Sequence, residues 1–268
     1  MTLRTDAIAA EMLASFDGRA PIAPFTSRDP SFDVAQAYEV TSAACRMRID
    51  RGEKPIGRKI GFTNRGIWDQ YNIDAPVWGY MYEHSVALLD AKLSVAQFCE
   101  PQIEPEIALW FAKTPAPGMS KRELLECIGW IAHGFEVVQS VFPGWKFKVP
   151  DTIANFGMHG AYRLGPPLAV TPENRAALFD SLVTFTVTLF RDGTQIDTGR
   201  GANVLDGPLS ALRHLVDLLA KDPNNPQVSA GEIVTTGTLT RAFPLADGET
   251  WSTDMAGIPL AGIRFTFG

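Results

Sequence analysis

Three glutamates carry the first chemical signal. Residues 99–111, CEPQIEPEIALWF, set Glu104 and Glu106 two positions apart in an otherwise apolar stretch. In a strand, Ile103, Pro105, Ile107, Leu109 and Phe111 share one face. Glu104 and Glu106 share the other, with Cα atoms roughly 7 Å apart. Like charges so placed repel. One reading is a solvent-exposed strand face, where most charged residues lie. Against it, the same face continues into Ala108 and Trp110, and Pro105 marks a strand start or edge. Glu136 adds a third carboxylate in IAHGFEVVQSVF, flanked by Phe135 and Val137. There a carboxylate faces outward, is satisfied by backbone donors, or is compensated by a cation. Convergence of all three from two strands would make an all-oxygen cage. Mg2+ or Mn2+ suits such a cage, with water or substrate oxygens completing an octahedron. Histidine- and thiolate-preferring metals are disfavoured, because no His or Cys stands at ligand spacing.

The surrounding chain says what must position these residues. It has 268 residues, 46% of them hydrophobic and 20% charged, with a formal net charge of −6. That is enough chain to bury a large core without staples. The mild acidity and the lack of a basic stripe argue against a nucleic-acid partner. No apolar run approaches the roughly 20 residues needed to span a bilayer, so no membrane role is expected. The N-terminus, MTLRTDAIAAEMLASFDGRA, reads as an amphipathic helix with internal charges and not as a signal peptide. Cys45, Cys99 and Cys127 are odd in number and form no CxxC pair, so a reducing cytoplasm is the expected compartment.

Two helices are expected first, over roughly 5–15 and 33–51, the second capped by Ser31 or Asp33 and followed by Gly52. Short β-like runs follow, punctuated by Gly and Pro: IGRKIGFT, APVWGYMY, IEPEIALWF, FEVVQSVF, LVTFTVTLF, EIVTTGTLT and IPLAGIRFTF. Ser120 and Glu123 fit a capping box for a helix running to about Ala132. A later helix follows Pro208, with Leu209, Leu212, Val216 and Leu219 on one stripe. Asp192-Gly193 and Asp247-Gly248, each between strand candidates, are read as hairpin signals. Strands without regular βα alternation argue against a doubly wound sheet or a TIM barrel. The expectation is an α+β fold: a helical N-terminal region over 1–75, then a mixed, rolled β-sheet domain over 76–268.

The ordered motifs resemble the fumarylacetoacetate hydrolase superfamily, within it the 2-keto-4-pentenoate hydratase and 4-oxalocrotonate decarboxylase group. GRKIGFT (57–63) resembles the lysine-bearing segment, EPEIALWF (104–111) the metal-binding ExE strand, and FEVVQS (135–140) the strand of the third ligand. WKFKVPDTIANFGMHGA (145–161), NVLDGPLSALRHLVDLLA (203–220) and AGEIVTTGTLTRAFPLADGETW (230–251) resemble later segments in the same order. The resemblance implies a rolled β-sheet of that family's C-terminal type. It implies Mg2+ or Mn2+ on Glu104, Glu106 and Glu136, chelated by the 2-oxygen and carboxylate of a small 2-oxo acid. The cation would stabilise an enolate, which serves hydration of a 2-hydroxy-2,4-dienoate in aromatic catabolism. It serves equally decarboxylation of a 2-oxo dicarboxylic acid; acylpyruvate C–C bond hydrolysis is a further alternative. Lys59, Lys148 (three residues before Asp151) and Asp151 itself become catalytic candidates. Thr238 becomes the candidate for the substrate carboxylate, with His84 (after Glu83) as a further substrate-binding candidate. His159 is expected to face the pocket, and His133 and His214 to serve structure or surface. The chain departs from the resemblance at Asn155–His159, where small polar residues are usual, and at Arg241, where glycine is usual. Arg241 is therefore a candidate for a second substrate carboxylate, with solvent exposure as the alternative. A homo-oligomer is implied, with association with a pathway partner enzyme left open.

Overall fold

The computed structural model describes residues 2–71 and 73–268. The chain opens with helices α1 (Thr2–Gly18), α2 (Phe25–Arg28) and α3 (Val34–Asp50). Asp33 caps α3: its carboxylate accepts the Gln36 N–H at 2.9 Å, and the Gln36 side chain accepts the Asp33 N–H at 3.2 Å. Ala9, Met12 and Leu13 of α1 bury against Ala37, Val40 and Ala44 of α3, in one cluster with Phe142 and Ile153.

Strand β1 (Pro55–Gly61) follows at once, then the short helix α4 (Trp68–Tyr71), β2 (Val77–Tyr82) and β3 (Val86–Leu88). Two long strands, β4 (Gln102–Phe111) and β5 (Ile128–Val138), are separated by α5 (Lys121–Cys127). Next come α6 (Val149–Ala154), β6 (His159–Leu164), β7 (Leu168–Ala169), α7 (Arg175–Thr184) and the hairpin β8 (Thr186–Arg191)–β9 (Thr194–Arg200). The chain ends with α8 (Pro208–Leu219), β10 (Ile233–Thr235), β11 (Phe243–Pro244), β12 (Thr250–Ala256) and β13 (Arg264–Thr266). The larger, mixed sheet runs β2-β1-β10-β4-β5-β6-β3, with β11 on β4 and β7 on β5; the smaller runs β13-β12-β8-β9. No helix among the described residues is long and apolar enough to cross a membrane.

The antiparallel β4–β5 ladder is the axis of the molecule. Its pairs run from Gln102↔Val138 to Phe111↔Ile128. On one face Ile103, Phe135 and Val137 pack on Leu189, Trp251 and Phe265 of the smaller sheet. Ile107, Leu109, Phe111 and Ile131 join the core under α5, α7 and α8, which includes Leu178, Leu182, Leu212 and Leu215. Burying the odd face of β4 in two cores fixes register, since a one-residue slip would put every glutamate into apolar packing.

Three expectations change. The sheet begins at Pro55, with the run IGRKIGFT, so the boundary drawn after residue 75 falls inside the sheet, and β1 lies between β2 and β10. The helix capped at Ser120 ends at Cys127, not Ala132; pairing of residues 128–138 with β4 overrides the helical pattern. The run LVTFTVTLF starts in helix: Leu178 and Leu182, one turn apart on α7, are both buried, and the strand begins only at Thr186. The Asp192-Gly193 turn has φ of 50° and 79°, the two left-handed residues of a tight hairpin.

Candidate metal centre and active site

Glu104 pairs directly with Glu136 across the ladder, and Glu106 faces Gly134. One carboxylate oxygen from each glutamate lies within 4.8 Å of the others. Glu106 and Glu136 are fully buried and Glu104 half-buried. Gly134 is needed because a Cβ there would meet the Tyr162 ring at 2.4 Å. Glu106 Oε2 accepts the Gly237 N–H at 2.9 Å, while its Oε1 is buried without a hydrogen-bond partner. Gly237 has φ of 92°, and a Cβ there would lie 2.0 Å from Thr63 Oγ1, so no side chain fits where its amide must reach Glu106.

Lys59 comes from β1. Its buried Nζ lies 3.2 Å from Glu136 Oε2. It is paired with Gly79 in β2, and a Cβ at Gly79 would sit 2.2 Å from the Phe156 carbonyl oxygen. The missing side chain lets the 156–158 turn lie over the lysine stem, with Gly157 above Lys59 Cδ. The other Glu136 oxygen, Oε1, is 2.8 Å from His159 Nδ1, and His159 Nε2 is 2.8 Å from Ser85 Oγ. A carboxylate only accepts, so Nδ1 carries the proton toward Glu136. Ser85 is itself fixed by the Tyr82 N–H at 3.2 Å and the Tyr82 carbonyl at 2.8 Å. On the far side His133 bonds the Glu106 carbonyl at 2.9 Å and Thr253 Oγ1 at 2.9 Å, and burial pushes its pKa down to about 4.

The electrostatics are unbalanced. Burial, then the Glu136 charge, pushes Glu106 well above the ordinary carboxylate range. Burial lifts Glu104 to about 7, opposed by Lys59 and helped by Glu136. Burial also works against Glu136, but Lys59 and His159 outweigh it and hold that group below its usual value. Lys59 is pushed down by burial and up by the carboxylates, which win. One ammonium thus faces three carboxylates, and a buried oxygen of Glu106 has no donor. A hard divalent cation answers both deficits, and an all-oxygen donor set is what such a cation takes. The residues present fit that group.

A cavity of about 550 Å³ adjoins these residues; Lys59, Glu104, Thr238 and Arg241 line it. Thr238 Oγ1 is buried without a hydrogen-bond partner. The loop carrying it is strapped to β4: Thr236 N–H donates to the Ile107 carbonyl at 3.1 Å and Leu239 N–H to the Pro105 carbonyl at 2.9 Å. Arg241 lies at the mouth, its side chain 75% exposed and its Nε 3.1 Å from Asp197 Oδ2.

Lys148, Asp151 and His84 sit elsewhere. Lys148 is exposed and lines a different surface hollow, with Phe32 and Ile73. Asp151 is fully buried and accepts the Thr26 N–H (3.0 Å), the Thr26 hydroxyl (2.6 Å) and the Lys148 N–H (2.9 Å). The three-residue Lys148–Asp151 spacing is thus that of a helix cap at the start of α6, which accounts for it without catalysis. The His84 side chain is 58% exposed, 3.7 Å from Glu53, and does not line the cavity. Sequence reasoning assigned no part to Ser85; its only local signal is a serine in a turn. It expected His159 to face the pocket; His159 instead touches Glu136 directly and does not line the cavity.

The profile described as fumarylacetoacetate (FAA) hydrolase C-terminal matches residues 56–264, and the chain belongs to that family. Among curated relatives, 2-hydroxyhexa-2,4-dienoate hydratase of Comamonas testosteroni is 29% identical over 251 residues, 91% of each chain. A 2-keto-4-pentenoate hydratase of Paraburkholderia xenovorans (strain LB400) is 28% identical, covering 89% of this chain and 86% of its own. A 4-oxalocrotonate decarboxylase of Pseudomonas putida is 26% identical over 90% of this chain and 88% of its own. The fold matches the structure of 4-oxalocrotonate decarboxylase from Pseudomonas putida G7, complexed with magnesium and adipate. The TM-score is 0.91 at 23% identity, covering 100% of this chain and 98% of that one.

Proposed function

We propose that this protein is a divalent-metal-dependent hydratase of 2-hydroxy-2,4-dienoates of the 2-keto-4-pentenoate type. The convergence of Glu104, Glu106 and Glu136 beside the buried Lys59 at one end of a cavity carries the reading. These three glutamates would hold Mg2+ or Mn2+, which supplies Lewis-acid stabilisation of the negative charge that develops on the substrate 2-oxygen. The rest falls to the chain. Gly237 N–H and His159 Nδ1–H each hold one oxygen of a glutamate, which fixes how the carboxylates face the cavity. Lys59 Nζ, kept protonated by the surrounding carboxylates, is the acid that delivers a proton to C5 while the dienol 2-hydroxyl releases its own proton to solvent, from which the lysine is reprotonated. Thr238 Oγ1, buried and unpartnered, is the donor left for the substrate carboxylate. Water then adds at C4 of the conjugated ketone.

One observation favours a second reading, decarboxylation of a 2-oxo dicarboxylic acid: Arg241 lines the same cavity. The exposed position of His84 removes support from the C–C bond hydrolase alternative. The test is product analysis with Mg2+ or Mn2+ present. Loss of diene absorbance with formation of a 4-hydroxy-2-oxo acid supports hydration, and CO2 release from an unsaturated 2-oxo diacid supports decarboxylation. Metal-independent turnover, or none, overturns both.

A further inference from the structure

We propose that the substrate carries a bulky apolar group, alkyl or aryl, at the end away from its 2-oxo acid head, and that Phe62, Trp145 and Met158 form the wall that recognises it. This rests on the 2-oxo acid reading above and extends it to the rest of the substrate.

Three observations carry it. First, the cavity of about 550 Å³ falls in the range that encloses drug-sized ligands, and a five-carbon acid would leave much of it unfilled. Second, large apolar side chains make up much of its lining: Val138, Phe147 and Leu239 join Phe62, Trp145 and Met158, beside polar residues such as Asn64, Asn203 and Thr240. Third, Phe62, Trp145 and Met158 all have left-handed backbone, with φ of 57°, 57° and 68°. Bulky L residues avoid that region, and such conformations persist where the surrounding structure enforces them and a site uses them. The enforcement is visible. The Trp68 indole N–H donates to the Phe62 carbonyl at 2.7 Å. The Trp145 N–H donates to the Phe142 carbonyl at 3.2 Å, and its indole to the Glu100 carbonyl at 3.0 Å. The Met158 carbonyl accepts the Gln139 N–H at 2.9 Å, and its sulfur accepts from the Asn155 amide at 3.3 Å. Three separate loops thus hold large apolar side chains against one cavity.

The cationic residues on the lining are already paired, which disfavours a carboxylate tail. Lys59 lies against Glu136. Asp197 Oδ2 accepts both the Arg241 backbone N–H (3.2 Å) and its Nε (3.1 Å), and the guanidinium lies over Phe243 at 5.2 Å. A second carboxylate would have to displace Asp197 from a residue that faces mostly solvent.

The experiment is calorimetry on the Mg2+-saturated protein with pyruvate, 2-oxopentanoate, 2-oxohexanoate, 2-oxo-4-phenylbutanoate and 2-oxoadipate. Affinity is expected to rise about three- to fourfold per methylene along the alkyl series. The phenyl compound should bind more tightly again, and 2-oxoadipate at least about tenfold more weakly than 2-oxohexanoate. In Met158→Ala and Trp145→Ala, the ratio of phenyl-compound to pyruvate affinity, both measured on the variant, should drop severalfold. Tighter binding of 2-oxoadipate than of 2-oxohexanoate, or a flat series with pyruvate still bound, overturns this inference and leaves the 2-oxo acid reading standing. Absence of Mg2+-dependent binding by every compound, pyruvate included, overturns that reading and this one with it.

Discussion

Asp151 and Glu106 are both fully buried acids, and their surroundings are opposite. Asp151 accepts three hydrogen bonds, from Thr26 N–H, Thr26 Oγ1 and Lys148 N–H, and its carboxylate joins the N-terminal helices to α6. Glu106 accepts one from Gly237, leaves its other oxygen bare, and faces two more carboxylates. A satisfied acid stabilises the fold. An acid left short of donors costs free energy in the folded state, and the deficit persists where a ligand fills it. Burial alone therefore separates nothing here; counting donors does.

Five measurements can break or sharpen that contrast. Glu106→Gln should weaken Mg2+ binding by more than about 100-fold and lower kcat/KM on the order of 10³-fold. The melting temperature of its metal-free form should stay level or rise, because burial and the Glu136 charge already push this carboxyl toward its neutral form, which the amide mimics without any cost of ionisation. A marked fall in that temperature would put Glu106 in the same class as Asp151. Asp151→Ala should do the reverse. Stability should drop by about 2–4 kcal/mol in denaturant titration, as the Thr26 and Lys148 amides lose their acceptor. Metal affinity of the folded fraction should hold.

His159→Ala should weaken metal binding about 10- to 100-fold by freeing Glu136 Oε1, and His159→Asn, which keeps a donor, should recover part of it. Calorimetry reads both. The pH dependence has a definite sign. Glu104 is lifted to about 7 in the fold, so a cation must displace its proton below that pH. Metal affinity should climb by at least about tenfold per unit up to pH 7 and go on climbing above it, with proton release on binding, because Glu106 is pushed up as well. The same shift acts on metal-free stability. A raised folded-state pKa gives a contribution that is complete below the unfolded carboxylate's 4.5 and is lost as pH rises through about 7. Comparing melting temperatures of the EDTA-treated protein and Glu104→Gln between pH 5 and 8 isolates that contribution. Lys148→Ala and His84→Ala, both at exposed side chains, should change turnover by no more than about twofold.

Much of the site was legible in the chain because strand geometry is local. Two glutamates at i and i+2 had to share a face, and the hard-cation reading followed from oxygen donors alone. Glu136 stood out as a lone carboxylate in an apolar run, and the family order of motifs added Lys59. The same reasoning misplaced Lys148 and Asp151, because a helix cap and a catalytic pair can have the same three-residue spacing. Ser85 left no usable trace: its link to His159 spans 74 positions.

The sequence by itself determined the alternation along β4, a cap for α3 at Ser31 or Asp33, the capping box at Ser120, the Asp192-Gly193 turn and the stripe of α8. Each depends on neighbours a few residues apart, where backbone geometry alone decides. Only the tertiary structure decided that Glu104 stands opposite Glu136, that residues 128–132 leave the helix for a strand, and which buried acid lacks its donors. Those outcomes depend on cross-strand register and on which distant amides arrive at each carboxylate, and both are set by packing the whole sheet at once.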